Sequence, residues 1–214
     1  MNIKSAGSND LYLTGKFTSA IEYARHLHIE RRKGSGIPYM AHLLGVAALV
    51  MGEAGHEPFP VTEDMVVAAL LHDAVEDHGG TPRLNDIEAN FGANVARMVA
   101  GLSDTFSEDS SHKESWLDRK QSYLHRLRDE PADVRLISAA DKLYNARAML
   151  EDYRVIGPEV WKRFKRGRGD QLWYFDELVK VFRYFGESRI VEELGRVVAE
   201  LRRVSNSETS EALV

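Results

Sequence analysis

Seven apolar residues in a row, Met65 to Leu71, run straight into His72-Asp73 and then Glu76-Asp77. Taken as one helix from Met65 to Asp77 at about 100° per residue, Leu70, Leu71, Ala74 and Val75 share one side, while His72, Asp73, Glu76 and Asp77 share the other. A segment apolar all round belongs inside a core, so the polar groups that follow it are expected to line a cleft. Three carboxylates near a helix C-terminus repel one another and oppose the helix dipole, which favours cations at that end. A bound divalent cation would reverse that penalty. The plainer alternative is a solvated acidic helix end, against which the apolar run argues.

Helical spacing dominates the rest of the chain, with turn signals between segments and few alternating β-branched runs, so the expected fold is all-α. The pattern predicts about ten helices, over 17–31, 38–54, 62–77, 84–91, 93–102, 113–128, 132–152, 158–164, 169–184 and 188–203. Pro38 and Pro158 suit first helical turns, and Thr62 followed by Glu63 and Asp64 has the form of an N-cap with an acidic first turn. The stretch His78-Gly79-Gly80-Thr81-Pro82 is expected to stop the metal-candidate helix. Ser103 to His112, polar and serine-rich, reads as a mobile loop beside the cleft. Residues 1–204 are expected to form one domain and 205–214 a flexible tail.

The composition narrows the function. The 214 residues, 43% hydrophobic, suffice for one sizeable core. No apolar run approaches the ~20 residues needed to cross a bilayer, and Met1-Asn2-Ile3-Lys4-Ser5 lacks a signal-peptide hydrophobic stretch, so a cytoplasmic protein with no membrane partner is expected. With no cysteine, thiolate nucleophiles and cysteine-ligated metals are excluded, and any metal must use imidazole and oxygen. A net charge of -5 argues against a nucleic-acid partner but leaves room for local basic patches that hold a small phosphorylated ligand.

One helix cannot wrap a cation, and two distant positions offer further ligands. His42 lies in an otherwise apolar helical stretch, where a satisfied core histidine is the commoner reading. Asp141 lies in Leu136-Ile137-Ser138-Ala139-Ala140-Asp141, and a buried aspartate without a partner costs several kcal/mol, so it calls for a cation, a donor network or a raised pKa. Lys142, about 100° round the helix, is expected to be a poor partner for it; Asn145, one turn on, shares its face.

His42, His72-Asp73 and Asp141 resemble the H…HD…D pattern of the HD-domain metal-dependent phosphohydrolases. More narrowly, Arg32-Lys33-Gly34-Ser35-Gly36-Ile37-Pro38-Tyr39-Met40-Ala41-His42, His72-Asp73-Ala74-Val75-Glu76-Asp77 and Ala140-Asp141-Lys142-Leu143-Tyr144-Asn145-Ala146-Arg147 resemble the hydrolase domain of the RelA/SpoT alarmone enzymes. The three motifs occur in order over about residues 20 to 185. The length leaves no room for the synthetase and regulatory regions of the long members, so the chain resembles a stand-alone small alarmone hydrolase.

The resemblance implies an HD-domain helical bundle, one manganese ion held by His42, His72, Asp73 and Asp141, and removal of the 3′-pyrophosphate from ppGpp or pppGpp. By its chemistry alone, a site of two imidazoles and two carboxylates suits manganese, iron or zinc better than calcium, without choosing among them. A metal open to solvent polarises a phosphoryl oxygen and acidifies water. Glu76 and Asp77, each one turn from a ligand, are the candidate catalytic acid pair, able to take or position the proton of water. Arg32 and Lys33, beside two glycines, read in isolation as a basic linker able to approach phosphate; the resemblance implies that they contact a purine nucleotide and that Asn145 lies near its ribose. The basic run from Lys162 to Arg168 reads as a solvated helix end.

Two positions depart from the family pattern. His78 stands where threonine often follows the acid pair, and Ser138 stands where a lysine commonly precedes the motif aspartate by three residues. These departures leave guanine against adenine open, so ppApp and a dinucleotide 2′-phosphate such as NADPH stay among the alternatives. Another HD nucleotide phosphohydrolase, and a non-catalytic nucleotide-sensing or protein-binding module, also remain. A cognate alarmone synthetase and a homo-oligomer are the further partners to consider.

Overall fold

The structure, a computed structural model, describes residues 10–103, 115–186 and 188–211, with side chains to 206. The described residues form α-helices joined by turns, as expected: α1 (Gly15–Leu27), α2 (Tyr39–Gly52), α3 (Glu63–Leu71), α4 (Ala74–Asp77), α5 (Gly80–Phe91), α6 (Ala93–Leu102), α7 (Trp116–Asp129), α8 (Ala132–Ile156), α9 (Arg168–Tyr184) and α10 (Arg189–Glu211). A 3-10 turn, Gly157–Arg163, follows α8. Backbone pairing of β type among these residues is confined to one bridge, Arg31 to Pro38. Apart from Ser103, the segment expected to be a mobile loop lies outside the described residues. Helix α10 continues to Glu211, past the start of the expected tail, and Ser205 is buried with its Oγ donating to the Leu201 carbonyl.

Helix α3 occupies the centre because every residue from Met65 to Leu71 is apolar and all seven are buried. Its start follows the sequence signal: Thr62 Oγ1 accepts from the Met65 amide at 3.4 Å, and Glu63 and Asp64 fill the first turn, where carboxylates favour the dipole. Around it pack α1, α2, α6 and α8. The 25-residue α8 is the other spine; it touches α2, α3, α6, α9 and α10, so it is buried on several faces. Burying such surfaces, at roughly 25 cal/mol per Å² of apolar area, is what holds helices of this length together.

The continuous helix expected from Thr62 to Asp77 is broken. Helix α3 ends at Leu71, a turn occupies His72 and Asp73, and α4 begins at Ala74. Asp73 has φ -90 and ψ -8, away from ideal helical values. The reason is geometric: neighbours in an unbroken helix diverge by about 100°, and the break lets two adjacent side chains converge. The stop falls where expected, with α4 ending at Asp77 and His78 capping it, but the next helix begins earlier than expected: Thr81 and Pro82 already lie in the first turn of α5, where a proline's missing N–H costs nothing.

Two packing features carry predictions. Gly45 faces Tyr144 across the α2–α8 contact so closely that a Cβ there would lie 2.0 Å from Tyr144 Cε2. Tyr144 is held in place by His42, with ring centroids 5.0 Å apart, and by the Arg32 guanidinium above it. Gly45→Ala is therefore expected to destabilise the fold by about 1–3 kcal/mol, read as a lower denaturation midpoint in urea.

Glu53 ends α2 almost wholly buried, with Oε2 lacking a hydrogen-bond partner. Burial, assisted by Glu57, pushes its carboxyl above the usual range despite Arg189 and His56. The folded chain thus binds this proton more readily than the unfolded one, and the cost of the charge is felt above the raised pKa. Glu53→Gln should melt higher than the parent at pH 7, with the difference closing as the pH falls through the folded pKa; thermal scans across pH test it.

Candidate metal centre and cleft

The broken helix, α2 and α8 each deliver side chains to one point. His42 Nε2 and His72 Nε2 approach to 3.2 Å, and Asp73 Oδ2 lies 3.3 Å and 3.1 Å from them respectively. Asp141 Oδ1 lies 3.4 Å from His42 Nε2 and 3.6 Å from His72 Nε2. All four ligand candidates expected from the sequence therefore meet, although 99 positions separate His42 from Asp141.

These donors fit a divalent ion. Bonds of about 2.1 Å place neighbouring donors roughly 3.0 Å apart in octahedral and about 3.4 Å apart in tetrahedral coordination. His72 Nδ1 lies 2.8 Å from the Ala69 carbonyl, to which it donates, and so aims Nε2 at the centre. The electrostatics ask for positive charge at the same point. Burial raises the Asp73 carboxyl, but the His72 charge and hydrogen bonds from both imidazoles outweigh it and hold the group well below the usual range. Burial opposes a charged His72, yet Asp73 and Asp141 keep it protonated well above the ordinary imidazole range. Buried His42 shifts the other way, toward the neutral form. Both carboxylates thus favour positive charge at the point where their oxygens and the imidazole nitrogens meet.

Lys142 corrects the sequence reading. Its Nζ lies 2.6 Å from Asp141 Oδ2, because a four-carbon stem bends back across the angle that separates adjacent helical positions. Burial disfavours its charge, but Asp141 overrides this and raises its pKa well above the ordinary amine range. Asn145 behaves as expected: Nδ2 donates to Asp141 Oδ1 at 2.5 Å, and its Oδ1 accepts from the Arg32 guanidinium at 2.5 Å. A relay of polar contacts thus joins the basic loop to the ligand cluster.

Sequence reasoning missed other members of the site. The Tyr39 hydroxyl donates to Asp73 Oδ2 at 2.6 Å, and burial with the nearby carboxylates pushes its pKa up, so it remains a donor. Its position three residues before His42 on one helix was the available signal. The Tyr123 hydroxyl and Ser138 Oγ pair at 2.7 Å beside Lys142, so Ser138 is held within the protein rather than offered to a ligand. No spacing rule links α7 to α8.

Glu76 and Asp77 point into different spaces. Glu76 is exposed and lines a small crevice with His72, Asp73, Asp141 and Lys142. Asp77 lines a larger cleft of about 1180 Å³ with Arg31, Arg32, Lys33, Asn145 and Arg147. Burial, then the Asp73 charge, raises the Asp77 carboxyl. A cleft of this size with a basic wall accommodates a nucleotide bearing several phosphates. Tyr174 and Phe175 are buried but also reach the cleft wall. No helix among the described residues is long and apolar enough to cross a membrane.

Residues 20–166 match the HD domain family. The mouse (Mus musculus) guanosine-3′,5′-bis(diphosphate) 3′-pyrophosphohydrolase MESH1 is 37% identical over 149 residues, 68% of this chain and 74% of that protein. A solved structure from Listeria monocytogenes EGD-e, 32% identical, superposes with a TM-score of 0.61 over 73% of this chain and 96% of that one. A metazoan ortholog of SpoT, described as hydrolysing ppGpp, is 24% identical and shares the fold, with a TM-score of 0.67 over 88% and 97% of the two chains.

Proposed function

The chain belongs to the HD-domain family, and from that premise we propose that it is a metal-dependent hydrolase removing the 3′-pyrophosphate of ppGpp or pppGpp. The observation that carries the reading is the meeting of His42, His72, Asp73 and Asp141 beside a basic cleft, in a chain whose relatives include a pyrophosphohydrolase of this nucleotide. The ion is manganese, and the protein works in the cytoplasm on a small-molecule substrate. A separately encoded synthetase supplies that substrate, and the chain forms a homo-oligomer.

An ion held by the four ligands supplies Lewis acidity toward a phosphoryl oxygen and toward water. The chain's residues do the rest. Tyr39 keeps Asp73 aimed at the centre by donating to it, and Lys142 balances Asp141 from the far side. Arg32 and Lys33 hold phosphate oxygens, while Asn145, fixed between Arg32 and Asp141, orients the ribose. Glu76, in the crevice next to the ligands, takes the proton of the attacking water. Asp77, whose carboxyl is raised, is placed on the cleft side to return a proton to the departing 3′ oxygen. Water adds to the phosphorus attached to that oxygen, and the bond between them breaks. GDP or GTP and pyrophosphate leave.

The purified protein incubated with ppGpp and manganese should release GDP and pyrophosphate in equal amounts. No turnover of ppGpp, pppGpp or ppApp would refute the reading, and orthophosphate released from another nucleotide would replace it with a different phosphohydrolase.

A further inference from the structure

A second group of ligating atoms converges on the wall of the same cleft. His28 Nδ1 lies 2.8 Å from Glu30 Oε1. His78 Nε2 lies 3.2 Å from His28 Nδ1 and 3.5 Å from the same Glu30 oxygen. Three separate pieces of backbone create this meeting. His28 caps α1, its amide donating to the Ala24 carbonyl at 2.8 Å. Glu30 lies in the following link, whose carbonyl accepts from the Tyr39 amide at 3.0 Å. His78 follows α4.

We propose that His28, Glu30 and His78 form a second divalent-metal site, one that takes a borderline cation such as zinc, cobalt(II) or iron(II). The separations, 2.8 to 3.5 Å, match those among the ligands of the first centre, 3.1 to 3.6 Å. Both sets bracket the roughly 3.0–3.4 Å expected between neighbouring ligands on bonds of about 2.1 Å. His28 Nδ1, His78 Nε2 and the Glu30 oxygen each carry a lone pair when the imidazoles are unprotonated at these nitrogens. A cation at the centre satisfies all three lone pairs at once.

The site is built rather than incidental. The His28 side chain has no exposure, its ring stacks on Tyr39 at 4.9 Å and meets the His78 ring edge-on at 4.5 Å. Glu30 and His78 remain partly open, 39% and 28% exposed, and both line the large cleft with Asp77. Ion entry and further ligands therefore have a path. Two imidazoles and one carboxylate with open positions disfavour calcium and magnesium and suit the later first-row metals. The two centres share Tyr39, which stacks on His28 and donates to Asp73.

Metal stoichiometry tests the second site apart from activity. The full chain, stripped with chelator and titrated with zinc in a calorimeter, should bind two equivalents, confirmed by elemental analysis after desalting. His78→Ala and Asp73→Ala should each bind one, and the double variant none; cobalt(II) should show separate visible bands for the two sites. Glu30→Gln, which keeps the side chain's shape, should weaken only one of the two zinc affinities, by at least about tenfold. One equivalent in the parent, lost in Asp73→Ala and untouched in His78→Ala, would overturn the second site and leave the first intact. Two equivalents surviving in a folded His78→Ala, or both zinc affinities unchanged in Glu30→Gln, would overturn it as well.

Discussion

Replacing Asp73 with alanine should remove the ion of the first centre and ppGpp turnover together. Its Oδ2 lies closer to both imidazole nitrogens than the Asp141 oxygen does, 3.1 Å from His72 and 3.3 Å from His42, and it is the acceptor of the Tyr39 hydroxyl. Alanine withdraws one ligand and one of the two buried negative charges that call for a cation. The counter-charge of the other, Asp141, is already engaged by Lys142 at 2.6 Å. The remaining set, two imidazoles and a carboxylate already neutralised, holds a dication far less well. Metal catalysis of this kind contributes several kcal/mol, so kcat/KM should fall by at least about 10³-fold. Metal content of the desalted protein and GDP formation measure the two effects, and an active variant with its full ion content would contradict the ligand assignment.

Glu76→Gln should separate chemistry from metal binding. Glu76 lines the crevice beside His72, Asp73 and Asp141, but it is not one of the four proposed ligands. Exchanging its carboxylate for an amide keeps the shape and removes the proton acceptor. The loss expected for a general base is about 10²–10⁴-fold in kcat, with KM little changed and the metal content retained. An equal loss of metal would make Glu76 a ligand instead. Asp77, on the cleft side, is the contrasting position, its carboxyl raised by burial and by the Asp73 charge.

The sequence was informative where chemistry is local. An apolar run of seven, helical spacing and a threonine cap identified α3, and the scarcity of alternating β-branched runs identified the all-α class. His42 and Asp141 stood out because each is a polar group in an apolar helix, which needs a partner; it was the resemblance to the HD motif, not the helical pattern, that made them ligand candidates. The partners of those groups were less legible. Lys142 was discounted on helical angle, yet a long flexible stem overrides the direction in which its Cβ points. The turn at His72-Asp73 has no glycine or proline to announce it; convergence of two side chains on one point imposes it.

By itself, then, the sequence determined which residue types could bind a cation and which helices would carry them, because burial and periodicity act on neighbouring positions. Tertiary structure alone decided that His72 and Asp73 aim the same way, that Glu76 and Asp77 open into different spaces, and that His28, Glu30 and His78 share a centre. Those outcomes depend on angles and distances between helices packed from distant parts of the chain, which no local pattern encodes.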